Sequence, residues 1–371
     1  MGESNTKTTR TIRFREEIRQ DSFFRLLQEQ VRNYLLEHGF DGLSTPLLWL
    51  KAMGYGVLFL SLYSGLFWAP NPFTWWIWAG LGLTGVLLGL NVSHDAAHGS
   101  FFRSKLWNEI LYYLSFSLLG VNAYLWQLRH VKSHHLFPNV DECDADIDDN
   151  PLIRLSPQKP WRPYHQYQHW YAPLVYLFYS LIWVFVKDFM ILQKKQLANL
   201  RQISHPKGQI LLFYMAKGLY LLAFIGAPIH WGNFSALEVC MGFVAMHFVS
   251  GSAFIYLLAP SHFAEGRTFS TLDEEGYLPG SWSRHQIATS LDYHANQRWA
   301  NWIFGGFNAH AAHHLFPGIS HVHYPAISAL IKDAAKQYQL PYQNLTWPEA
   351  VAAHFTYLKK LGLPPAKNQS H

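Results

Sequence analysis

The chain has 371 residues, half of them hydrophobic, with aromatic residues at 16% and charged residues at only 14%. A soluble domain carries roughly 25% charged residues, so this composition excludes an ordinary soluble enzyme and points to an integral membrane protein with sizeable polar parts. Two cysteines, Cys143 and Cys240, exclude a disulfide framework, and a net charge of +5 with no basic repeat or zinc-finger spacing excludes nucleic acid as a partner.

The first 20 residues are polar and charged and lack an apolar leader core, so no cleaved signal peptide is expected. A membrane-spanning helix needs about 20 apolar residues. Stretches 48–69 and 73–93 meet that length and form a first hairpin around the breaker Ala69-Pro70-Asn71-Pro72. The second stretch runs into HDAAH, which places His94 and His98 four apart on one helical face. Asp95 between them is expected to accept an N–H from a ligand imidazole. Stretch 106–125 is apolar but broken by Asn108, Glu109 and several serines, and is read as interfacial.

HVKSHH follows, with His130 and His134 at helical spacing and His135 about 100° further round. Asp144, Asp146, Asp148 and Asp149 lack the glycine turn and terminal glutamate of an EF-hand. They are read as a solvated loop, with orientation of the neighbouring imidazoles as the other role open to them. His165 and His169 stand among Tyr and Gln, where an interfacial hydrogen-bonding role is expected. The 173–186 run is strongly apolar but short.

A second hairpin is expected from 209–229 and 235–259, broken near Gly226-Ala227-Pro228. Lys217 and Glu238 inside it are expected to snorkel or to pair across the hairpin. His247 is expected to be packed or hydrogen-bonded. HAAHH then supplies His310, His313 and His314 at helical spacing, and His321 and His323 turn the chain after it.

Eight imidazoles in three clusters are too many for one mononuclear site and suit a pair of transition-metal ions. For the clusters to meet, an even number of spans must separate His135 from His310, so 173–186 is read as an interfacial or partly sunk helix. The turns 70–73 and 230–234 carry no Lys or Arg, which puts them outside and the clusters on the cytoplasmic side. The expected fold is an all-α integral membrane protein with four transmembrane helices in two hairpins and a cytoplasmic helical cap. Its regions are 1–47, the hairpin 48–93, the cap segment 94–208, the hairpin 209–259 and the cap segment 260–371. An apolar tunnel is expected between the spans and under the metals, lined by 73–92 and 248–259, with Arg129, Lys132 and Arg154 on the polar cap beside it.

The motifs HDAAH, HVKSHH and HAAHHLFP, with LRHVKSHH, QYQHWYAP, FAEGRTFSTLDEEG and the stretch GGFNAHAAHHLFPGISHVHYPAI, resemble those of the membrane fatty acid desaturases. The likeness runs over about residues 20–345 as a single domain and is greatest to the front-end, linoleoyl-CoA type. It implies two non-haem iron ions held by His94, His98, His130, His134, His135, His310, His313 and His314, with His262 of LLAPSHFAEG as a ninth ligand. Asn308 and Asp95 would support these ligands from behind. The resemblance further implies O2 as co-substrate, a fatty acyl-CoA or acyl-lipid substrate, and insertion of a cis double bond. No HPGG motif of a fused cytochrome b5 occurs, so electrons are expected from a separate ferredoxin or cytochrome b5. His310 stands where front-end members commonly carry Gln, and Leu258 where some relatives carry an Asn that anchors a metal-bound water. The boxes also leave open a diiron hydroxylase or ketolase acting on a lipid or carotenoid. A non-enzymatic metal- or haem-binding membrane protein fits less well, because the histidines gather at span ends on one side.

Overall fold

The structure, a computed structural model, describes residues 12–69, 73–147 and 151–364. The turn at 70–72 and Asp148 and Asp149 of the acidic run lie outside the described residues. In chain order the helices are α1 (Ser22–Glu37), α2 (Pro46–Trp68), α3 (Thr74–Ala97), α4 (Lys105–Leu118), α5 (Ala123–Arg129), α6 (Pro163–Gln193), α7 (Lys207–Trp231) and α8 (Ala236–His262). There follow α9 (Trp282–Thr289), α10 (Arg298–Phe304), α11 (His310–Leu315), α12 (Tyr324–Gln337) and α13 (Trp347–Gly362). Strand β1 (Arg13–Glu16) pairs in parallel with β2 (Tyr277–Ser281), and β3 (Asp292–Tyr293) with β4 (Asn344–Leu345). These two ribbons tie both ends of the described chain to the segment ahead of the third histidine cluster.

The long helices start where local chemistry allows. Thr45 caps α2 through Leu48 N–H, with Pro46 at the first helical position where its missing N–H costs nothing. Ser235 and Glu238 form a reciprocal capping box at the start of α8, so Glu238 is a half-buried capping group rather than a charge sunk in a span. Much of α2 faces outward with Leu50, Met53, Val57, Leu60 and Trp68 exposed, as suits a helix whose solvent is lipid. Glycines set the closest helix contacts. A Cβ on Gly82 would lie 2.3 Å from the Met246 carbonyl oxygen, and one on Gly242 would lie 2.1 Å from the Trp78 ring, so α3 and α8 pack nearly backbone to backbone. Gly251 brings α8 equally close to α6 at the Tyr176 carbonyl.

Among the described residues five helices, not four, are long and apolar enough to cross a membrane: α2, α3, α6, α7 and α8. The apolar 173–186 run looks short because His169, Lys187 and Asp188 flank it. The helix passes through all three and reaches 31 residues. It runs antiparallel to α8, with Ser180 against His247 and Phe185 against Phe243. Its start is held on α13 by Gln168, which donates to the Leu358 carbonyl at 2.8 Å. Beyond its end, Leu197 packs with Leu125 and Ala145, and Asn199 donates to the Lys132 carbonyl at 3.1 Å. The 14 residues of α4 are too short to cross, at ~1.5 Å per residue against a ~30 Å hydrocarbon core. Asn108 of α4 ties it to the loop after His98 by donating to the Phe102 and Ser104 carbonyls.

Candidate metal centre

The first two histidine clusters are aimed by a departure from ideal α-helix. In α3 the turn Gly89–Ser93 is a π-turn, in which His94 N–H bonds the Gly89 carbonyl five residues back. The second cluster is itself a π-turn, His130–His134, and His135 N–H bonds the His130 carbonyl at 3.0 Å. Widening the turn brings positions five apart onto one face, and the Nε2 atoms of His130 and His135 meet at 3.0 Å. The α-helical reading paired His130 with His134 instead. The third cluster is on the short helix α11, where the fully buried Ala311 and Ala312 let it lie against its neighbours.

The three clusters and His262 converge into two groups. His94, His98, His130 and His313 form one; His134, His262, His310 and His314 form the other, and within each group the ligand atoms lie within 4.8 Å of one another. His135 meets His313 and His314 between the two groups. His262, the last residue of α8, stands at the centre of the second group, its Nε2 at 2.6 Å from His310, 3.0 Å from His134 and 3.1 Å from His314.

The proton inventory shows why these contacts suit a cation. A neutral imidazole has one N–H. His262 Nδ1 faces the Thr289 carbonyl at 3.0 Å, His134 Nδ1 faces Asp144 Oδ1 at 3.0 Å, and His314 Nδ1 faces Gln286 Oε1 at 2.9 Å. Each Nδ1 therefore carries the proton, and three Nε2 lone pairs point at one another. Converging lone pairs repel unless a positive ion lies among them. In the first group the Nε2 atoms of His94, His98 and His313 are buried without a protein partner. The donor set, all nitrogen and all shielded, fits a transition metal such as iron, copper or zinc.

Protonation runs the same way. Burial and neighbouring imidazoles hold His130, His135, His313 and His314 well below the usual histidine range. Burial pushes His98 down to about 4 and His310 to about 3. All are neutral at pH 7, the form that binds metal. His134 differs: burial pulls it down, but Asp144 and Asp146 outweigh burial and raise it.

The other expected site residues fall as follows. Asp95 meets no ligand imidazole. Its Oδ2 accepts from Ser320 Oγ at 2.6 Å and from His321 Nδ1 at 2.9 Å, which pins the turn after α11 beneath α3. Asn308 is fully buried two residues before His310 and donates to the His294 carbonyl at 3.3 Å. Arg129 is buried and paired with Asp146 at 2.7 Å. Lys132 is exposed. Arg154 gives its guanidinium to the carbonyls of Pro157, Lys159 and Leu361, fastening α13 to the loop before α6. His247 bonds Ser180 Oγ at 2.8 Å and Tyr220 Oη at 3.0 Å. His323 bonds the Leu43 carbonyl.

The acidic run corrects its solvated-loop reading at two of its four positions. Asp144 is fully buried behind His134, and its second oxygen accepts Asn139 N–H at 2.8 Å; Asp146 is half-buried against Arg129 and His134. Nothing in SRHQIAT marks Gln286 and Thr289 of α9 as partners of the ligand imidazoles, and no local signal marks Asp292. It accepts Ala311 N–H at 2.8 Å and Tyr342 O–H at 2.7 Å, so it serves the start of α11 as a cap from outside the helix.

Below the first group lies an apolar cavity of about 1040 Å³ including its mouth. His94, His130 and Phe307 form its metal end and Phe59, Met246 and Tyr220 its deep end. Leu81, Val86 and Leu90 of α3 and Ser250, Phe254 and Leu258 of α8 line its walls, within the two segments expected to do so.

Fold and site together define a multi-pass membrane protein with a histidine-rich metal site above an apolar cavity. The profile of the fatty acid desaturase family matches residues 66–346, and the chain belongs to that family. It is an oxidoreductase that makes double bonds in lipids. The acyl-lipid (8-3)-desaturase of Physcomitrium patens is 29% identical over 92% of this chain and 72% of its own length. The sn-1 linoleoyl-lipid 6-desaturase of Arthrospira platensis is 29% identical over 97% of both chains. The sn-1 linoleoyl-lipid 6-desaturase of Synechocystis sp. is 27% identical over 92% of this chain and 95% of its own.

Proposed function

We propose that His94, His98, His130, His134, His135, His262, His310, His313 and His314 hold two non-haem iron ions, and that the chain inserts a cis double bond into the acyl chain of a membrane lipid. The observation that carries the metal reading is the set of three Nε2 lone pairs converging around His262, each proton held on Nδ1 by a separate acceptor. When bound, the iron pair supplies the activation of O2 needed to remove two hydrogens from an unactivated methylene pair. The chain supplies position. The apolar cavity walls position the acyl chain below His94 and His130. Asp144, Thr289 and Gln286 fix the tautomers of the second group. Relatives named for acyl-lipid substrates support a glycerolipid-bound acyl chain over an acyl-CoA. Electrons come from a separate ferredoxin or cytochrome b5.

Four helices cross the membrane in this reading, α2, α3, α7 and α8, with the metal site on the cytoplasmic side. Support comes from α6, whose two flanks are both fastened to elements beside the metal centre, through Leu358 at one end and Lys132 at the other. A helix with both ends on one side dips into the bilayer without crossing it.

The test is expression in a host that lacks polyunsaturated lipid, with saturated, mono- and diunsaturated acids fed and fatty acids profiled by mass spectrometry. New double bonds that vanish in His313→Ala are the expected result. Hydroxylated products without new double bonds, or purified protein holding one zinc and no iron, would overturn it.

A further inference from the structure

Three lysines are buried within helices of crossing length, Lys51 in α2, Lys187 in α6 and Lys217 in α7, and none of them lines the cavity below the first group; Lys51 and Lys217 bind segments that lead into histidine clusters. An ammonium is costly in that setting and persists where its donors are all used. Lys51 Nζ donates to Asn91 Oδ1 and to the Trp302 carbonyl, and lies 4.2 Å from the centre of the Trp302 ring. Asn91 is the middle residue of the π-turn that delivers His94. Its amide donates to the Leu87 carbonyl at 2.9 Å and the Ile303 carbonyl at 3.2 Å. Trp302 and Ile303 lie in the last turn of α10, just ahead of the left-handed Gly305 and Gly306 that lead into α11. The fit is close: a Cβ on Gly305 would lie 2.6 Å from the Leu90 carbonyl oxygen. Lys51 thus binds the approach to the first histidine cluster to the approach to the third.

Lys217 does the same for the second. Its three N–H donors meet three acceptors: the Gly120 carbonyl at 2.6 Å, the Val184 carbonyl at 2.7 Å and Asp188 Oδ2 at 2.6 Å. The Val184 carbonyl is released by another π-turn, because Asp188 N–H bonds Trp183 instead. The same Asp188 oxygen accepts the N–H of Asn122 at 3.1 Å, and Asn122 caps α5, the helix that runs into His130.

We propose that Lys51 and Lys217 are positioning residues of the metal centre: each holds the helix segment that enters a histidine cluster in the register that lets its imidazoles reach a metal. Charge-assisted bonds to neutral carbonyls are the strong class, and an ammonium directs three of them to separate elements. The proposal rests on the reading of the histidines as metal ligands.

The test reads metal binding rather than turnover. Wild type, Lys51→Met and the double variant Lys217→Met/Asp188→Asn, which leaves no lone buried charge, are purified in detergent without metal and titrated with ferrous iron against a chelator. Support acting behind metal ligands is worth ~10–100-fold in affinity, and a loss of that size for at least one ion is expected in each variant. A merely structural lysine would lower the melting temperature of metal-free and iron-loaded protein alike and leave the iron-induced rise unchanged; a positioning lysine shrinks that rise. Should Lys51→Met fail to fold, Asn91→Ala, which leaves the lysine on the Trp302 carbonyl, carries that arm. Wild-type iron affinity and a wild-type melting increment in the folded variants would overturn the proposal. A wild-type chain that binds two iron ions yet forms no double bond would instead sink the desaturation reading and leave the lysines to be judged on iron binding alone.

Discussion

Asp144 Oδ1 accepts the Nδ1 proton of His134 at 3.0 Å, and its other oxygen accepts the backbone N–H of Asn139 at 2.8 Å. The carboxylate is fully buried, held by the loop that follows the second histidine cluster, and turns His134 Nε2 toward His262. Replacing it by Asn removes the charge and presents an amide that can satisfy only one of its neighbours. The expected result for Asp144→Asn is a ~10–100-fold loss of affinity for one metal ion, read by chelator competition. An unchanged affinity would show that His134 needs no fixed tautomer.

His262 is the sole residue of α8 that reaches the second metal group, and it contacts His134, His310 and His314. His262→Ala leaves the first group with all four of its imidazoles. We expect the purified variant to keep about one metal ion per chain in place of two and to form no double bonds, since each group needs about four ligands to hold a transition ion. Metal analysis alongside fatty acid profiling checks both halves; two ions bound with full activity would remove His262 from the ligand set.

The histidine clusters were legible because imidazoles are scarce and their spacing is local. His262 was legible only through resemblance, since a single histidine at a helix end carries no periodic signal. Backbone register was not legible. Whether His130 faces His134 or His135 depends on one widened turn, and both π-turns are held by partners elsewhere in the chain: Lys51 on Asn91 in the turn 89–93, and the Cys143 carbonyl on Ser133 in the turn 130–134. The same holds for α6, where Lys187 and Asp188 read as the end of an apolar run but stay helical because Lys217 and Asn122 take up the Asp188 carboxylate. The buried Asp144 and the half-buried Asp146 read as solvated because a carboxylate run by itself says nothing of the imidazole behind it.

Gly242 separates α8 from the indole of Trp78, where an added Cβ would meet Nε1 at 2.1 Å. Trp78 is itself buried and has no room to swing away. Gly242→Ala is therefore expected to destabilise the protein by ~1–3 kcal/mol through overpacking, against the ~1 kcal/mol that Ala ordinarily gains over Gly in a helix. Gly54→Ala in α2, where nothing lies within 4 Å of the new methyl, is the control and should be neutral or stabilising. Thermal unfolding in detergent reads both, and equal melting temperatures would mean that the α3–α8 contact yields at no cost.

His354 of α13 accepts the Tyr176 hydroxyl proton on Nε2 at 2.6 Å and donates from Nδ1 to the Phe263 carbonyl. Both nitrogens are used by the neutral ring, and burial pushes its pKa down to about 4 from the usual 6.5. The folded state thus resists a proton that the unfolded chain accepts. Its contribution to stability is complete above the unfolded pKa and is lost as the pH falls from 6.5 toward about 4. A shift of this size corresponds to ~3 kcal/mol at most. His354→Gln, which cannot titrate, should cost stability at neutral pH but show a shallower acid slope, so that the gap between variant and wild type narrows on acidification. Other buried histidines add to the acid slope of both proteins and cancel in the difference. Chemical unfolding at several pH values reads that gap, and a gap constant from about pH 7.5 to about pH 4.5 would show that His354 stays neutral in both states or charged in both.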